Sequence, residues 1–144
     1  MAFNLDAFIP FRLSRLANKM SRDLAFLYEK QYLITRTQWR IMAVLSGGEH
    51  TAQAIADKTV MDKSVISRSV KELIGKQYLR RIASQSDGRA APLQLTANGH
   101  RIANEIGRMV LQAEQEFLGE LSHQEKEQLD HILSKLQRRS HDRL

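Results

Sequence analysis

The chain has 144 residues, a net charge of +6 and an isoelectric point near 9.9, and its length fits one domain with a real core. It contains no cysteine, which excludes disulfides, thiolate metal sites, cysteine nucleophiles and cysteine redox sensing. It shows neither an apolar run of membrane-spanning length nor a signal-type apolar segment near its start, so we expect a cytoplasmic protein with no membrane partner.

The basic charge is concentrated in the middle third of the chain. Residues 51–101 contain nine lysines and arginines against four acids, whereas the other residues hold 13 basic and 12 acidic side chains. A local basic excess of this kind indicates an acidic partner such as nucleic acid or anionic lipid.

Two helices are predicted in the first third. The first carries an apolar stripe with a period of 3.6 residues, made of Leu5, Phe8, Ile9, Leu13, Leu16, Met20, Leu24 and Leu27. Pro10 fits this helix only in its first turn. Thr35 and Gln38 have the spacing of a capping box, which predicts that a second helix begins there and ends at Gly47 and Gly48.

A short helix, a tight turn and a further helix follow. Thr51 is expected to cap the short helix, which carries Ile55 inward and breaks near Thr59, and Asp62 is expected to cap the next one. The apolar face of that next helix consists of Ile66, Val70, Leu73 and Ile74. Its opposite face is small, polar and basic, with Ser64, Arg68 and Lys71 flanked by Val65 and Ser67.

A β-hairpin is predicted over residues 79–84 and 91–95. Asp87 and Gly88 form a strong turn signal, because hairpin turns need positive φ angles that these residues tolerate. Arg89 then lies at or beside the tip, where a side chain contacts partners more readily than it is buried. The alternating run around Leu93 supports the second strand, and Pro92 marks it as an edge strand.

Two helices are predicted to complete the chain. Thr96 is expected to cap a long one with Ile102, Ile106, Met109, Val110, Ala113 and Phe117 on its apolar side. Ser122 and Glu125 have capping-box spacing and open the last helix, which carries Leu129, Ile132, Leu133 and Leu136. Residues 138–144 are expected to be a frayed tail.

The order helix, turn, helix and basic hairpin is that of a winged helix-turn-helix. An α-helix fits the major groove of DNA, where base edges can be distinguished, and its serine, arginine and lysine side chains, Lys71 among them, can reach bases and phosphates. Arg89 on a thin hairpin could reach the backbone or a narrow minor groove. A dimeric sequence-specific regulator is the favoured interpretation. The alternative is a basic architectural protein that binds DNA without sequence preference or effector. No pattern of catalytic residues supports an enzyme.

The same residues resemble the MarR (multiple antibiotic resistance regulator) family of transcription factors. The resemblance covers about 33–96, through TQWRIMAVL, the helix KSVISRSVKEL and SDGRAAPLQLT. It implies that Arg89 enters the minor groove, that Asp87 braces the wing, and that the recognition helix faces DNA through Lys63, Ser64, Val65, Ser67 and Arg68. Ser69 departs from the family pattern, in which a larger apolar residue is usual at that position.

The resemblance also implies an architecture and a mode of action. The expected fold is mainly α with a small hairpin wing, in a single domain 1–144 whose winged lobe covers about 33–96. Helices in about 3–30 and 97–140 would form a homodimer, and a two-fold dimer binds a palindromic site in double-stranded DNA. Family members are usually repressors, often released from DNA by a small aromatic, anionic ligand.

An effector site is predicted around one aromatic residue and three arginines. Trp39 offers an apolar wall beside Arg40, and Arg12 and Arg15 lie on a first helix expected to pack nearby, so a small aromatic carboxylate is the predicted ligand. The alternative is that Trp39 is a core residue and the arginines are solvated.

His123, Glu127 and His131 share a helix face, but a solvated polar face is favoured over a metal site, and no metal or cofactor is expected.

Overall fold

The structure, a computed structural model, describes residues 1–83 and 91–141. A short 3-10 helix, Leu5–Ala7, precedes six α-helices and two strands in these residues. In chain order they are α1 (Ile9–Tyr32), α2 (Arg36–Ser46), α3 (Ala52–Thr59), α4 (Lys63–Gly75), β1 (Leu79–Arg81), β2 (Leu93–Leu95), α5 (Ala97–Phe117) and α6 (His123–His141). The predicted mainly helical fold with a small hairpin is confirmed. None of the helices among the described residues is both long and apolar enough to cross a membrane.

The chain divides into two compact units, Met1–Val110 and Leu111–Leu144. The first holds the 3-10 helix, α1 to α4, the hairpin and most of α5, and the second holds the end of α5 and α6. The buried core lies in the first unit, since each fully buried apolar side chain among the described residues belongs to it.

Helix α1 begins later than the apolar stripe suggests. Leu5 lies in the 3-10 helix and Phe8 is the N-cap of α1, so the stripe continues across a break. Pro10 occupies the first turn as predicted, where its missing N–H costs no helical hydrogen bond. Only Ala25 and Tyr28 of α1 are buried.

Helix α2 has the predicted capping box. The N–H of Gln38 donates to Thr35 Oγ1 and the N–H of Thr35 donates to Gln38 Oε1, both over 3.1 Å. These reciprocal bonds satisfy two backbone donors that the first turn would otherwise leave unpaired. The helix ends at Gly47, as predicted.

The helix-turn-helix is formed by α3 and α4. Thr51 caps α3 by accepting the N–H of Ala54 over 3.1 Å. Asp62 is the N-cap of α4, but its side chain makes no capping hydrogen bond, so that part of the prediction is wrong. Its backbone carbonyl instead accepts the N–H groups of Val65 and Ile66, which closes the first turn through the main chain alone.

The apolar face of α4 is the centre of the core. Ile66, Val70 and Leu73 are completely buried, and Ile74 is half-buried against the same cluster. Helix α4 packs on α2, α3 and β1 through this face. The predicted apolar face is confirmed, with Ser69 buried beside it.

The strands of the hairpin are shorter than predicted. Leu79, Arg80 and Arg81 of β1 pair antiparallel with residues of β2, and the N–H of Ile82 donates to the Pro92 carbonyl just beyond them. The other side of β2 is joined by His50, whose carbonyl accepts the N–H of Leu93 over 2.8 Å. The sheet of β1 and β2 has only these two strands among the described residues, so β2 is an edge strand as Pro92 predicted, and His50 adds one isolated bridge at Leu93.

The caps of the last two helices are confirmed. Thr96 Oγ1 accepts the N–H of Gly99 at the start of α5, and Ser122 and Glu125 exchange both capping-box bonds over 3.1 Å at the start of α6. The predicted fraying from residue 138 is wrong for residues 138–141, which continue α6. Arginines are good helix formers and favour the C-terminal end of the helix dipole, which supports this last turn.

Candidate nucleic-acid interface

The polar face of α4 is a free, basic surface. The side chains of Lys63, Ser64, Ser67, Arg68 and Lys71 are exposed, and Val65 is half-buried beside them. We call these six residues the recognition surface. It faces away from Ile66, Val70 and Leu73 because residues three and four apart share one side of a helix. The structure thus brings together all six predicted contact residues of α4.

The recognition surface has the chemistry of a DNA-contacting helix. Lysine and arginine neutralise phosphates, and arginine can also bind guanine bidentately in the major groove. The serines are short enough for close approach, and their hydroxyls can donate to or accept from bases and phosphates. The free N–H groups at the start of α4 add a partial positive charge beside Lys63.

The base of the wing adds basic side chains that the sequence did not single out. Arg80 and Arg81 on β1 are both exposed. With the Gln94 amide turned so that its oxygen faces Arg80, that oxygen accepts the guanidinium N–H groups and the amide nitrogen donates to Glu49 over 3.3 Å. Arg80 and Gln94 meet because they are opposite each other in the antiparallel pairing of β1 and β2, which could not be read from the sequence. The predicted wing residues Asp87 and Arg89 lie outside the described residues.

A group of polar contacts holds the C-terminal end of α4. Gln38 is 1% exposed, and its Nε2 donates to Glu72 Oε2 over 2.6 Å while its Oε1 accepts from Lys76 Nζ over 3.2 Å. Lys76 Nζ also donates to the carbonyl oxygen of Leu33, the C-cap of α1. We call Gln38, Glu72, Lys76 and the Leu33 carbonyl the Gln38 junction. From the sequence, Gln38 was predicted only as a member of the capping box, because its bonds to Glu72 and Lys76 join residues distant along the chain.

The predicted effector residues lie in two different places. Arg12 and Arg15 line an open groove of about 780 Å³ along the first half of α1, with Leu16 and Lys19 beside them. Trp39 instead packs against Tyr28, near the other end of α1, with ring centroids 6.1 Å apart. At about 1.5 Å per residue, the 16 residues from Arg12 to Tyr28 span roughly 24 Å of helix.

Arg40 lies between these two places. Its guanidinium donates to Ser21 Oγ over 3.4 Å, and its side chain is exposed. Neither Trp39 nor Arg40 belongs to the lining of the groove that holds Arg12 and Arg15. The described residues of one chain therefore do not gather these four side chains around a single cavity.

Two tyrosines near the C-terminal end of α1, one of them packed against Trp39, stay protonated at neutral pH. Burial, together with the nearby Glu29 carboxylate, raises the pKa of Tyr28 to about 12. Tyr32 donates its hydroxyl proton to Glu105 over 2.9 Å, and this bond raises the pKa of Tyr32 and lowers that of Glu105. Both phenols therefore keep their protons, and Trp39 is half-buried against the core as the alternative interpretation expected.

The histidine face of α6 is an ordinary polar surface. His123 Nε2 lies 3.0 Å from Glu127 Oε1, and both side chains are largely exposed. Within the described part of the chain, no group of three histidine or acidic side chains is placed to hold a metal ion.

Comparisons with known proteins agree with this geometry. Residues 34–90 match the model of the MarR family. The crystal structure of a MarR/EmrR family transcriptional regulator from Acinetobacter sp. ADP1 is 31% identical, with a TM-score of 0.87 over 99% of this chain and 100% of that one. A comparison with curated proteins found no match.

More distant structures share the fold. A MarR family transcriptional regulator from Silicibacter pomeroyi DSS is 25% identical, covers 96% of this chain and 93% of its own, and has a TM-score of 0.83. Wild-type MarR from E. coli in its apo form is 22% identical, with coverages of 94% and 98% and a TM-score of 0.70. The exposed basic face of α4, the hairpin beside it and the near-complete match to the Acinetobacter regulator lead to one conclusion: this chain belongs to the MarR family of DNA-binding transcriptional regulators.

Proposed function

We propose that this regulator is a homodimeric repressor that binds a palindromic DNA site in the cytoplasm and is released by a small aromatic carboxylate. The proposal of DNA binding rests on the recognition surface, where five exposed polar or basic side chains lie opposite a completely buried apolar face. Such a helix is held firmly on one side and free on the other, as major-groove binding requires.

The contact residues divide by role. Arg68 and the serines of α4 are proposed to read base edges, and Lys63 and Lys71 to bind phosphates. Arg89 is proposed to enter the minor groove with Asp87 bracing it, which rests on the sequence resemblance alone. Arg80 and Arg81 extend the basic surface towards that wing.

Dimerisation is supported by apolar side chains that a single chain leaves in water. In the first unit, the exposed apolar residues from the N-terminus through the first half of α1 include Phe3, Leu5, Phe8, Ile9, Leu13 and Leu16. In the second unit it comprises Leu111, Phe117, Leu129, Ile132, Leu133 and Leu136. Apolar sets of this size mark interaction surfaces, and a two-fold dimer would cover them. We accordingly assign about 33–96 to DNA binding and about 3–30 and 97–140 to the dimer within one domain, 1–144.

Sequence selection from a random DNA library tests the mode of binding. A two-fold dimer should enrich an inverted repeat whose half-sites are about one helical turn, 34 to 36 Å, apart. Enrichment of a single, non-repeated half-site would contradict the dimer. A library that emerges without any preferred sequence would favour the alternative, an effector-independent architectural protein.

The effector would be a flat anion that favours a DNA-incompetent arrangement of the dimer. Arg12, Arg15 and Arg40 supply guanidinium groups for a carboxylate, and Trp39 supplies an aromatic wall. Since these residues do not share a cavity in one chain, the ligand would use either the α1 groove or the Trp39 region. A 100-fold difference in affinity between the two arrangements corresponds to about 2.7 kcal/mol of coupling.

Titration with aromatic acids tests the effector. The chain has one tryptophan, so fluorescence reports Trp39 alone. Binding at Trp39 should quench this fluorescence and release the enriched DNA site, whereas binding in the α1 groove should release DNA without quenching. Acids that cause neither change up to millimolar concentration would contradict the carboxylate proposal and leave the DNA-binding function intact.

A further inference from the structure

The Gln38 junction connects three helices through one buried side chain. Each polar atom of the Gln38 amide is used: Oε1 accepts from the Thr35 N–H and from Lys76 Nζ, and Nε2 donates to Glu72. Because Lys76 also donates to the Leu33 carbonyl, the same junction reaches the C-terminal end of α1. Gln38 and Lys76 together thus join the end of α1, the start of α2 and the C-terminal end of α4.

One partner of Gln38, Glu72, lies on the same side of α4 as part of the recognition surface, and the other, Lys76, is the C-cap of that helix. Ser64, Arg68 and Glu72 are spaced four residues apart, which places them along one side of the helix. Ser64 and Arg68 face the proposed DNA contact, whereas Glu72 and Lys76 are bound by Gln38. Any rotation of α4 that moved Arg68 around the helix axis would therefore also break the bonds at Glu72 and Lys76.

Apolar packing alone would restrain the rotation of α4 about its axis less firmly. The contacts of Ile66, Val70 and Leu73 exclude water, but the hydrophobic effect has no direction. Hydrogen bonds to charged groups are directional and stronger than neutral ones. The junction therefore adds a directional restraint to the one that burial of the apolar face provides.

We propose that Gln38 is a positioning residue for DNA recognition, and that its bonds to Glu72 and Lys76 set the angle at which α4 presents Ser64 and Arg68. The proposal rests on the proposed sequence-specific function. Gln38 itself is buried behind α4, so its effect on DNA binding passes through the helix. Loss of the junction should reduce the affinity for the enriched site more than the affinity for random DNA. The reason is that phosphate contacts tolerate displacement better than bidentate base contacts do.

A reciprocal exchange of Gln38 and Glu72 tests the proposal, and the double variant keeps the net charge of the parent. Gln38→Glu sets a carboxylate against Glu72 and should lower the ratio of affinities for the enriched site and for random DNA by about tenfold or more. Adding Glu72→Gln restores a donor and acceptor pair in reversed order, and should return the ratio to within a few-fold of the parent value. Gln128→Glu, on α6, adds the same charge at an exposed position far along the chain from α4 and should leave the ratio unchanged.

The affinity ratio separates positioning from stability. A variant that is only less stable has less folded protein, which lowers both affinities by the same factor and leaves their ratio unchanged. Should Gln38→Glu fail to fold, Gln38→Met removes the junction bonds without adding charge and is expected to lower the ratio in the same way. A folded Gln38→Glu or Gln38→Met protein with the parent's ratio overturns the proposal, as does a double variant that does not recover. A parent that binds both DNAs equally contradicts the proposed function itself, and is recognised before any variant is made.

Discussion

Gly99, in the first turn of α5, lies directly against the backbone carbonyl of Tyr78. A Cβ at Gly99 would overlap the Tyr78 oxygen and lie 3.0 Å from its carbonyl carbon and 3.2 Å from Leu95 Cδ2. The approach is fixed by Thr96, whose N–H donates to the Tyr78 carbonyl over 3.0 Å and whose hydroxyl donates to the Gln77 carbonyl over 2.7 Å. The start of α5 is thereby clamped to the turn between α4 and β1.

Gly99→Ala should destabilise the protein for this reason. The new methyl group meets backbone, which cannot move as a side chain can, so we expect a loss of about 1 to 3 kcal/mol in the free energy of unfolding. Gly75→Ala is the matched control, because nothing lies within 4 Å of a Cβ there. That control should keep the parent's stability or gain up to about 1 kcal/mol from better helix propensity. Urea unfolding measures both, and equal midpoints for the two variants would contradict the clamp.

DNA binding should be strongly dependent on salt. If the lysines and arginines of the recognition surface and the wing neutralise phosphates, the logarithm of the affinity falls linearly with the logarithm of the salt concentration, by about 0.9 per contact. Fluorescence anisotropy with a labelled duplex between roughly 50 and 200 mM salt gives the slope. An affinity that does not change over this range would rule out an electrostatic interface.

Arg68→Ala should relax sequence preference. Loss of a base contact from the exposed side of α4 is expected to cost about 1 to 3 kcal/mol on the enriched site and much less on random DNA. Arg108→Ala removes the same charge from an exposed position on α5 and serves as the control. Arg89→Ala should weaken binding chiefly where the flanks of the half-site are rich in A·T pairs. Parent-like binding by both Arg68→Ala and Arg89→Ala would show that the proposed docking is wrong.

Charge on the apolar side of α6 should disrupt the dimer. Leu133 and Leu136 are 41% and 49% exposed in a single chain, so an aspartate costs little there unless a second subunit covers it. Leu133→Asp and Leu136→Asp are expected to give monomers or unfolded chains, whereas Gln128→Asp, at an exposed polar position of α6, should behave as the parent. Analytical ultracentrifugation distinguishes these outcomes, and a parent that is a stable monomer at micromolar concentration contradicts the dimer.

The parts of the fold that could be predicted from sequence are those decided by neighbouring residues. Both capping boxes, at Thr35 and at Ser122, form as predicted because their bonds join residues three apart. The buried face of α4 was likewise predictable, since helical periodicity alone assigns Val70 and Leu73 to one side.

The parts that could not be predicted depend on elements distant in sequence. The bridge of His50 to β2 joins residues 43 positions apart, and the bond from Gln38 to Glu72 joins residues 34 positions apart. Leu33, Val60 and Gln77 adopt positive φ without being glycine, so the usual sequence signal for such turns was missing. Arg12 lies in the first half of α1, whereas Trp39 packs against Tyr28 near the other end of that helix. Helical periodicity does not indicate at which point along a helix a second helix packs, so this separation could not be predicted.

The most direct test of sequence-specific DNA binding compares the enriched palindrome with random DNA in one competition experiment at physiological salt. A regulator that reads base edges with the recognition surface should bind the palindrome about a thousandfold or more tighter than random DNA. Electrostatic contact alone would give nearly equal affinities for the two DNAs. A ratio of about 1000 or more is the result we predict, and a ratio near 1 would contradict the account.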